Sequence, residues 1–390
     1  MRLVFTPDSI ELELDELKKN NLYRKSHNVE VYGAKVLVDG VQKIHLCSND
    51  YLGLSRNPEV IKEARASLDH ISQCSSRLVA GNSPKLLELE DEIAKHRDTE
   101  SSLIYPSGYM ANLGVITALA NKDTAIFSDE LNHASIIDAC RLSRATIKVF
   151  RHNDIDNLNG LLCSTASNKI VITEGVFSMD GDFSVLDKIC RLVKEYNAII
   201  VVDDAHGDFI FGSPGSYSGV PAYFNVKQMI DVNVSSLSKG LGCFGGYVAS
   251  TNLVRELLVN KSRQFIYTSA LPEHLCAAAL AAVSVAQNGN LQGRLFRNVA
   301  FFYNKLKDLG FSIARSNSQI IPVMIGDEKL ALEFSNDLLH NGVFVQPIRY
   351  PTVMKGRARL RVTITALHDN NDLQTAVDSF EMVGRKRDVI

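Results

Sequence analysis

The sequence predicts an α/β protein: a large domain built on a mainly parallel, doubly wound sheet, followed by a smaller α+β domain. Three observations predict it. First, short β-rich runs recur from about residue 100 onward, as "AIFSD" (125–129), "IKVFRH" (147–152), "KIVITEG" (169–175), "AIIVVDDAH" (198–206), "DVNVSSLSK" (231–239) and "GYVAST" (246–251). Second, helix-like stretches such as 155–163 and 185–196 separate most of them, the signature of parallel strands joined by crossovers. Third, the runs are apolar with little alternation, as strands covered on both faces require.

The flanking segments differ. Residues 9–20 read as an amphipathic helix opened by Ser9, and 29–46 alternate about Gly33 and Asp39-Gly40 as a hairpin. Near 272–310 the pattern becomes long and helical, and a strand–helix–strand segment follows, with a helix at 327–341. We therefore divide the chain into an N-terminal segment (1–45), a large domain (46–285) and a small C-terminal domain (286–390).

Composition narrows the function. With 42 basic and 44 acidic side chains, no cationic surplus exists to hold nucleic acid or an anionic membrane. Seven scattered cysteines, none in C-x-x-C spacing, argue against a disulfide framework or a metal site and for reduced thiols in the cytoplasm. No apolar stretch approaches the length of a membrane span.

Ligands of doubly wound sheets bind beyond the carboxyl ends of the strands. Several runs end there in polar groups: Asp203, Asp204 and His206; Glu174, Ser178, Asp180 and Asp182; His133; Ser236, Ser238 and Lys239. "YPSGYMANLGV" (105–115) adds a Ser-Gly turn feeding a helix, whose N–H groups and dipole suit a phosphate. A lysine can form a Schiff base, a carboxylate can pair with a protonated ring nitrogen, and a helix start can hold phosphate; together they describe a site for pyridoxal 5′-phosphate. Gly240, Gly242 and Gly245 also fit a dinucleotide fingerprint. However, they lead into a strand rather than a helix, so they read as room for backbone to pass beside a cofactor.

From about 24 to 370 the sequence resembles the α-oxoamine synthases, pyridoxal-phosphate enzymes of fold type I. The likeness rests on "SNDYLGLS" (48–55), "SRLVAGN" (76–82), "PSGYMAN" (106–112), "NHAS" (132–135), "HND" (152–154), "TEGVFSMDGD" (173–182), "VDDAHG" (202–207), "SKGLGCFGG" (238–246), "FIYTSALP" (265–272) and "IRYPTVMKGRARLR" (348–361). It implies that Lys239 carries the cofactor and then moves a proton, that Asp203 pairs with the ring nitrogen, and that His133 stacks on the ring. His206 and Ser178 would flank the phenolic oxygen. Ser107, Gly108, Tyr109 and Ser236 would lie at the phosphate, and Thr268 would reach the phosphate of a neighbouring subunit in a homodimer with shared sites. Asn49 and Arg359 would hold the amino-acid carboxylate, with Arg357 and Arg361 as plain surface charges, and Arg24 would lie near the acyl donor. The implied reaction condenses an amino acid with an acyl thioester, on coenzyme A or acyl carrier protein, and releases carbon dioxide. The motifs favour alanine with a pimeloyl thioester. Glycine with acetyl-CoA is the alternative, and serine with a long acyl chain ranks lower. A homologue that keeps the fold without turnover is disfavoured, because every chemical group is present. The sequence departs from the family's usual pattern at "SQCSSR" (72–77), Leu86, Asp208-Phe209 and "MKG" (354–356).

Overall fold

The computed structural model describes residues 6–163 and 168–390. They fall into two compact units, residues 49–295 and residues 1–48 together with 296–390.

The larger unit is organised by a seven-stranded sheet. In chain order its elements are β1 (Ser101–Tyr105), α1 (Gly108–Leu119), β2 (Thr124–Asp129), α2 (Ala134–Ser143), β3 (Thr146–Phe150), α3 (Ile155–Cys163), β4 (Asn168–Glu174), α4 (Leu186–Glu195), β5 (Ile199–Asp203), β6 (Val232–Ser236) and β7 (Gly246–Ser250). The spatial order is β1-β7-β6-β5-β4-β2-β3. Strands β3, β2, β4, β5 and β6 run parallel. Strand β7 is antiparallel to both β6 and β1, so six strands share one direction. Chain direction across the sheet reverses between β2 and β4, the place where a doubly wound fold opens a crevice for ligand.

The apolar runs bury as their lack of alternation requires: every residue of β2, β6 and β7 is buried. Helices α1 and α2 cover one face, with Val115, Ile116, Ile136 and Ala139 packed against Ile126, Ile172, Val201 and Val234. The sequence reading ends the large domain at 285, whereas this unit runs to 295. Three contacts explain the extra residues: Gln292 donates to the carbonyls of Phe209 (2.7 Å) and Ala286 (2.9 Å), and Gly289 lies against the Tyr217 ring.

In the smaller unit, residues 29–32, 35–38 and 41–45 form an antiparallel meander, and 343–344 add to it in parallel. The N-terminal segment and the C-terminal region therefore share one unit, where the sequence reading sets 1–45 apart. A separate three-stranded sheet joins Ile320–Gly326, Ala358–Thr363 and Pro347–Ile348 over a core including Phe302, Phe334, Phe380 and Leu360. Among the described residues no helix is long and apolar enough to cross a membrane.

Candidate active site

Lys239 lies three residues past the end of β6, and His206 three past β5. Lys239 Nζ is 2.9 Å from His206 Nε2, and His206 Nδ1 is 2.7 Å from the Tyr51 hydroxyl. Tyr51 also donates to Asn49 Oδ1 at 3.1 Å. These contacts form a continuous polar chain from Asn49 to the Lys239 amine. Tyr51 is fully buried, and its hydroxyl fixes the His206 ring.

Asp203 closes β5, 7% exposed. Asn112 on α1 donates to its Oδ2 at 2.6 Å, and the Ala205 N–H donates to Oδ1 at 3.0 Å. Asn112 also reaches Ser135 Oγ at 3.0 Å, which is 2.8 Å from His133 Nδ1. His133 caps α2, its ring nitrogen accepting from the Ser135 N–H. Burial, reinforced by the Lys239 charge, holds His133 below the usual imidazole range, although Asp203 pulls the other way. Its ring therefore favours the neutral state suited to a face-on contact.

Ser107 is the N-cap of α1 and accepts from the Met110 N–H at 3.2 Å, leaving other N–H groups of the first turn to face a ligand. Glycine is required here by close approach. A Cβ on Gly246 would meet the Gly108 nitrogen at 2.3 Å, and one on Gly108 would meet Ser236 Cβ at 3.2 Å. Ser236 Oγ lies 2.8 Å from Ser238 Oγ, so two hydroxyls border this cradle. A helix start, bare backbone and hydroxyls fit a phosphate. Tyr109 is 42% exposed; its hydroxyl bonds Asp138 and its ring meets His133 edge-on. Ser178 is buried, in a loop closed by the Val176–Phe183 bridge. Thr268 is half-buried beside a small crevice with Arg77, Tyr105 and Pro106.

The structure thus gathers Lys239, His206, Asp203 and His133, and separately Ser107, Gly108 and Ser236, along the carboxyl-terminal edge of the sheet. Asn49 is joined to the first set through Tyr51. Arg24 and Arg359 belong to the smaller unit. Arg359 is 4% exposed, its Nε donating to the Arg357 carbonyl at 3.2 Å. Arg361 is not a surface charge, as the sequence reading had it, but is also buried. Residues two apart on a strand share a face, which places both arginines in like surroundings. Arg24 is exposed and lines a cavity of about 1260 Å³ bounded by 18–29 and 332–352. Among the described residues no acidic side chain lines that cavity, while Lys18, Lys25 and Arg349 do, over an apolar wall including Leu332 and Phe344.

Asp182 and Asp204 brace loops. Asp182 accepts from His152 at 2.8 Å. Asp204 pairs with Arg97 at 3.0 Å and accepts from the Val220 N–H. Asn112 and Glu174 were given no role from sequence. The signal for Asn112 is its place in "PSGYMAN", one turn past the Ser107 cap.

The fold is that of a fold-type I transferase, and the chain belongs to the aminotransferase class I and II family, whose model matches residues 41–380. Within that family it is 41% identical to an 8-amino-7-oxononanoate synthase of Thermoanaerobacter pseudethanolicus, across 98% of each chain. Among solved structures it superposes on a serine palmitoyltransferase variant from S. paucimobilis with bound pyridoxal phosphate and myriocin, with a TM-score of 0.92, 29% identity and 98% coverage of each chain. An 8-amino-7-oxononanoate synthase from Francisella tularensis matches with a TM-score of 0.75 and 26% identity, over 89% of this chain and 99% of that one.

Proposed function

We propose that the chain is a pyridoxal-phosphate-dependent C-acyltransferase of biotin synthesis. It joins L-alanine to a pimeloyl thioester and yields 8-amino-7-oxononanoate, carbon dioxide and the free thiol carrier. The observation that carries this reading is the near-full-length identity to 8-amino-7-oxononanoate synthases. The cavity beside Arg24 supports it: a pimeloyl thioester is anionic at its far carboxylate and on its carrier's phosphates, and an apolar wall with a cationic, acid-free rim suits both.

The residues present fit the cofactor. A phosphate needs the Ser107–Gly108 helix start and the gap that Gly246 leaves bare, and a pyridinium needs an oriented carboxylate such as Asp203. When bound, the cofactor supplies an electron sink that stabilises negative charge at the α-carbon of the amino acid. Asp203, held by Asn112 and the Ala205 N–H, keeps the ring nitrogen protonated. Lys239 Nζ would hold the cofactor and, when free of it, would move the α-proton. His206, fixed by Tyr51, orients that amine and flanks the phenolic oxygen with Ser178. The His133 ring would cover the face of the cofactor. A guanidinium such as that of Arg359 can offer the amino-acid carboxylate two parallel donors.

We read the working unit as a homodimer. Leu78, Val79 and Tyr267 are 53%, 82% and 72% exposed, and their segments are joined by the Ser76–Ser269 bridge into one apolar surface. Thr268 on that surface would serve the partner's phosphate. All seven cysteines are free, in keeping with action in the cytoplasm.

The test is a thiol-release assay in which alanine, glycine and serine are crossed with pimeloyl, acetyl and palmitoyl thioesters. Turnover is expected with alanine and the pimeloyl thioester, and none in Lys239→Ala, which also loses visible cofactor absorbance. Activity confined to glycine and acetyl-CoA would overturn the assignment.

A further inference from the structure

Glu174 ends β4, and the reading above gives it no task. Its register partner across the sheet is Asp203, so both side chains rise from the same face of adjacent parallel strands. The residue is 2% exposed, and its Oε1 has no hydrogen-bond partner among the described residues. The His133 backbone N–H faces this carboxyl, and the charged groups around it are Asp203, Lys239 and Asp129. Two dry carboxyls on neighbouring strand ends do not both ionise when one proton can serve the pair. Asp203 receives two fixed donors, from Asn112 and from the Ala205 N–H. Glu174 has an orphan oxygen instead. Burial first, and the Asp203 charge second, push the Glu174 carboxyl well above the usual carboxylate range.

We propose that Glu174 is a further positioning residue of the cofactor site, a neutral carboxylic acid that seats the His133 amide at the start of α2 and leaves Asp203 as the anion of the pair. Its role is to keep the charge where the ring nitrogen needs it. A second anion beside Asp203 would compete for the Lys239 ammonium and raise the proton affinity of that amine. The unpartnered Oε1 marks a hydrogen-bonding position that a bound group completes, because buried polar atoms without partners are rare in finished sites.

The assignment rests on the pyridoxal-phosphate reading, so the test separates the two. Wild type, Glu174→Gln, Glu174→Ala and Asp203→Asn are titrated with pyridoxal phosphate, and the visible band of each loaded protein is followed against pH. Glu174→Gln, neutral and of the same shape, is expected to keep its titration midpoint within about 0.3 pH units of wild type, whereas Asp203→Asn moves it by about one unit or more. Glu174→Ala is expected to bind the cofactor about tenfold more weakly, because the seat of His133 is gone. A midpoint shift of about a unit in Glu174→Gln would overturn the proposal, since Glu174 would then be a working charge. Wild-type affinity and spectrum in Glu174→Ala would overturn it too. If Glu174→Ala does not fold, the Glu174→Gln titration decides. A wild-type protein that shows no visible band with pyridoxal phosphate sinks the cofactor reading itself, and the role of Glu174 with it.

Discussion

Replacing Arg97 by methionine should cost about 3–5 kcal/mol of folding stability at pH 8, the usual cost of stripping one partner from a buried ion pair. Arg97, Asp204 and Asp208 have side chains 1%, 0% and 1% exposed. The guanidinium sits 3.0 Å from Asp204 through Nη1 and 3.0 Å from Asp208 through Nη2. It also donates to the Tyr247 hydroxyl (2.6 Å) and the Ser218 carbonyl (2.8 Å). Each ion pair is worth about 4 kcal/mol at an effective dielectric near 20, before the cost of drying the charges is subtracted. Methionine fills most of the volume, so the loss is electrostatic rather than a cavity. Two carboxylates then face each other without a cation. Burial already lifts the Asp204 carboxyl to about 7, with Arg97 opposing and Asp208 adding to the rise. Without the arginine Asp204 rises further, and Asp208, which Arg97 and His96 now hold below its ordinary value against the effect of burial, rises too, so both take protons on mild acidification. The deficit should therefore shrink by about 1 kcal/mol or more between pH 8 and pH 5.5. Urea unfolding of cofactor-free wild type and variant at both pH values measures this, since bound cofactor would add its own stabilisation. A deficit below about 1 kcal/mol at pH 8, or one equal at the two pH values, would refute the reasoning.

Three further outcomes are expected. Gly246→Ala places a methyl 2.3 Å from the Gly108 nitrogen, where backbone cannot yield, and should weaken cofactor binding by about tenfold or more in an absorbance titration. His45 is buried, and burial together with His368 lowers it to about 4. Unfolding returns it to its ordinary 6.5, so the unfolded chain binds more protons between those values, and stability falls as pH drops from 6.5 toward 4, by roughly 3 kcal/mol at most. His45→Leu should flatten that acid limb in thermal melts, and an unchanged slope would remove His45 from the explanation. Val79→Asp, on the 82% exposed apolar residue, should shift the protein from dimer to monomer in analytical ultracentrifugation.

How much of this was written in the sequence depends on the range of the interaction. Strands buried on both faces show as unbroken apolar runs, so β2 and β4 to β7 stand where the runs do, and the Ser107 cap announces α1 locally. β1, "SSLIY", is too polar at its start to stand out; its burial comes from β7, about 145 residues away in sequence. The polar chain at Lys239 was half legible. Lysine and histidine sit at strand ends, but Tyr51 reaches His206 across 155 residues and Asn112 reaches Asp203 across 91. No local periodicity encodes such pairs. The departure at Asp208-Phe209 gains its sense the same way. Phe209 adopts a left-handed φ of +62° and stacks on His96 at 3.9 Å, while Asp208 accepts from His96, Ser235 and Tyr247. His96 and Arg97, at the end of the helix Pro84–Arg97, supply what that change demands.

The double aspartate of "VDDAHG" shows how one strand end can serve two purposes. Successive residues leave an extended backbone on opposite sides. Asp203 meets Asn112 of α1, and Asp204 meets Arg97 from the helix Pro84–Arg97. The second carboxylate spends its charge on a guanidinium with no access to solvent and pins the loop through Val220. Once pinned, the first can be held by a neutral amide and a backbone N–H alone, donors that orient a carboxylate without cancelling it. A cation at Asn112 in place of the amide would satisfy Asp203 within the protein and leave a ring nitrogen nothing to pair with. The site therefore depends on where the structure declines to neutralise a charge. Glu174 follows the same logic from the neighbouring strand, adding a carboxyl without adding an anion.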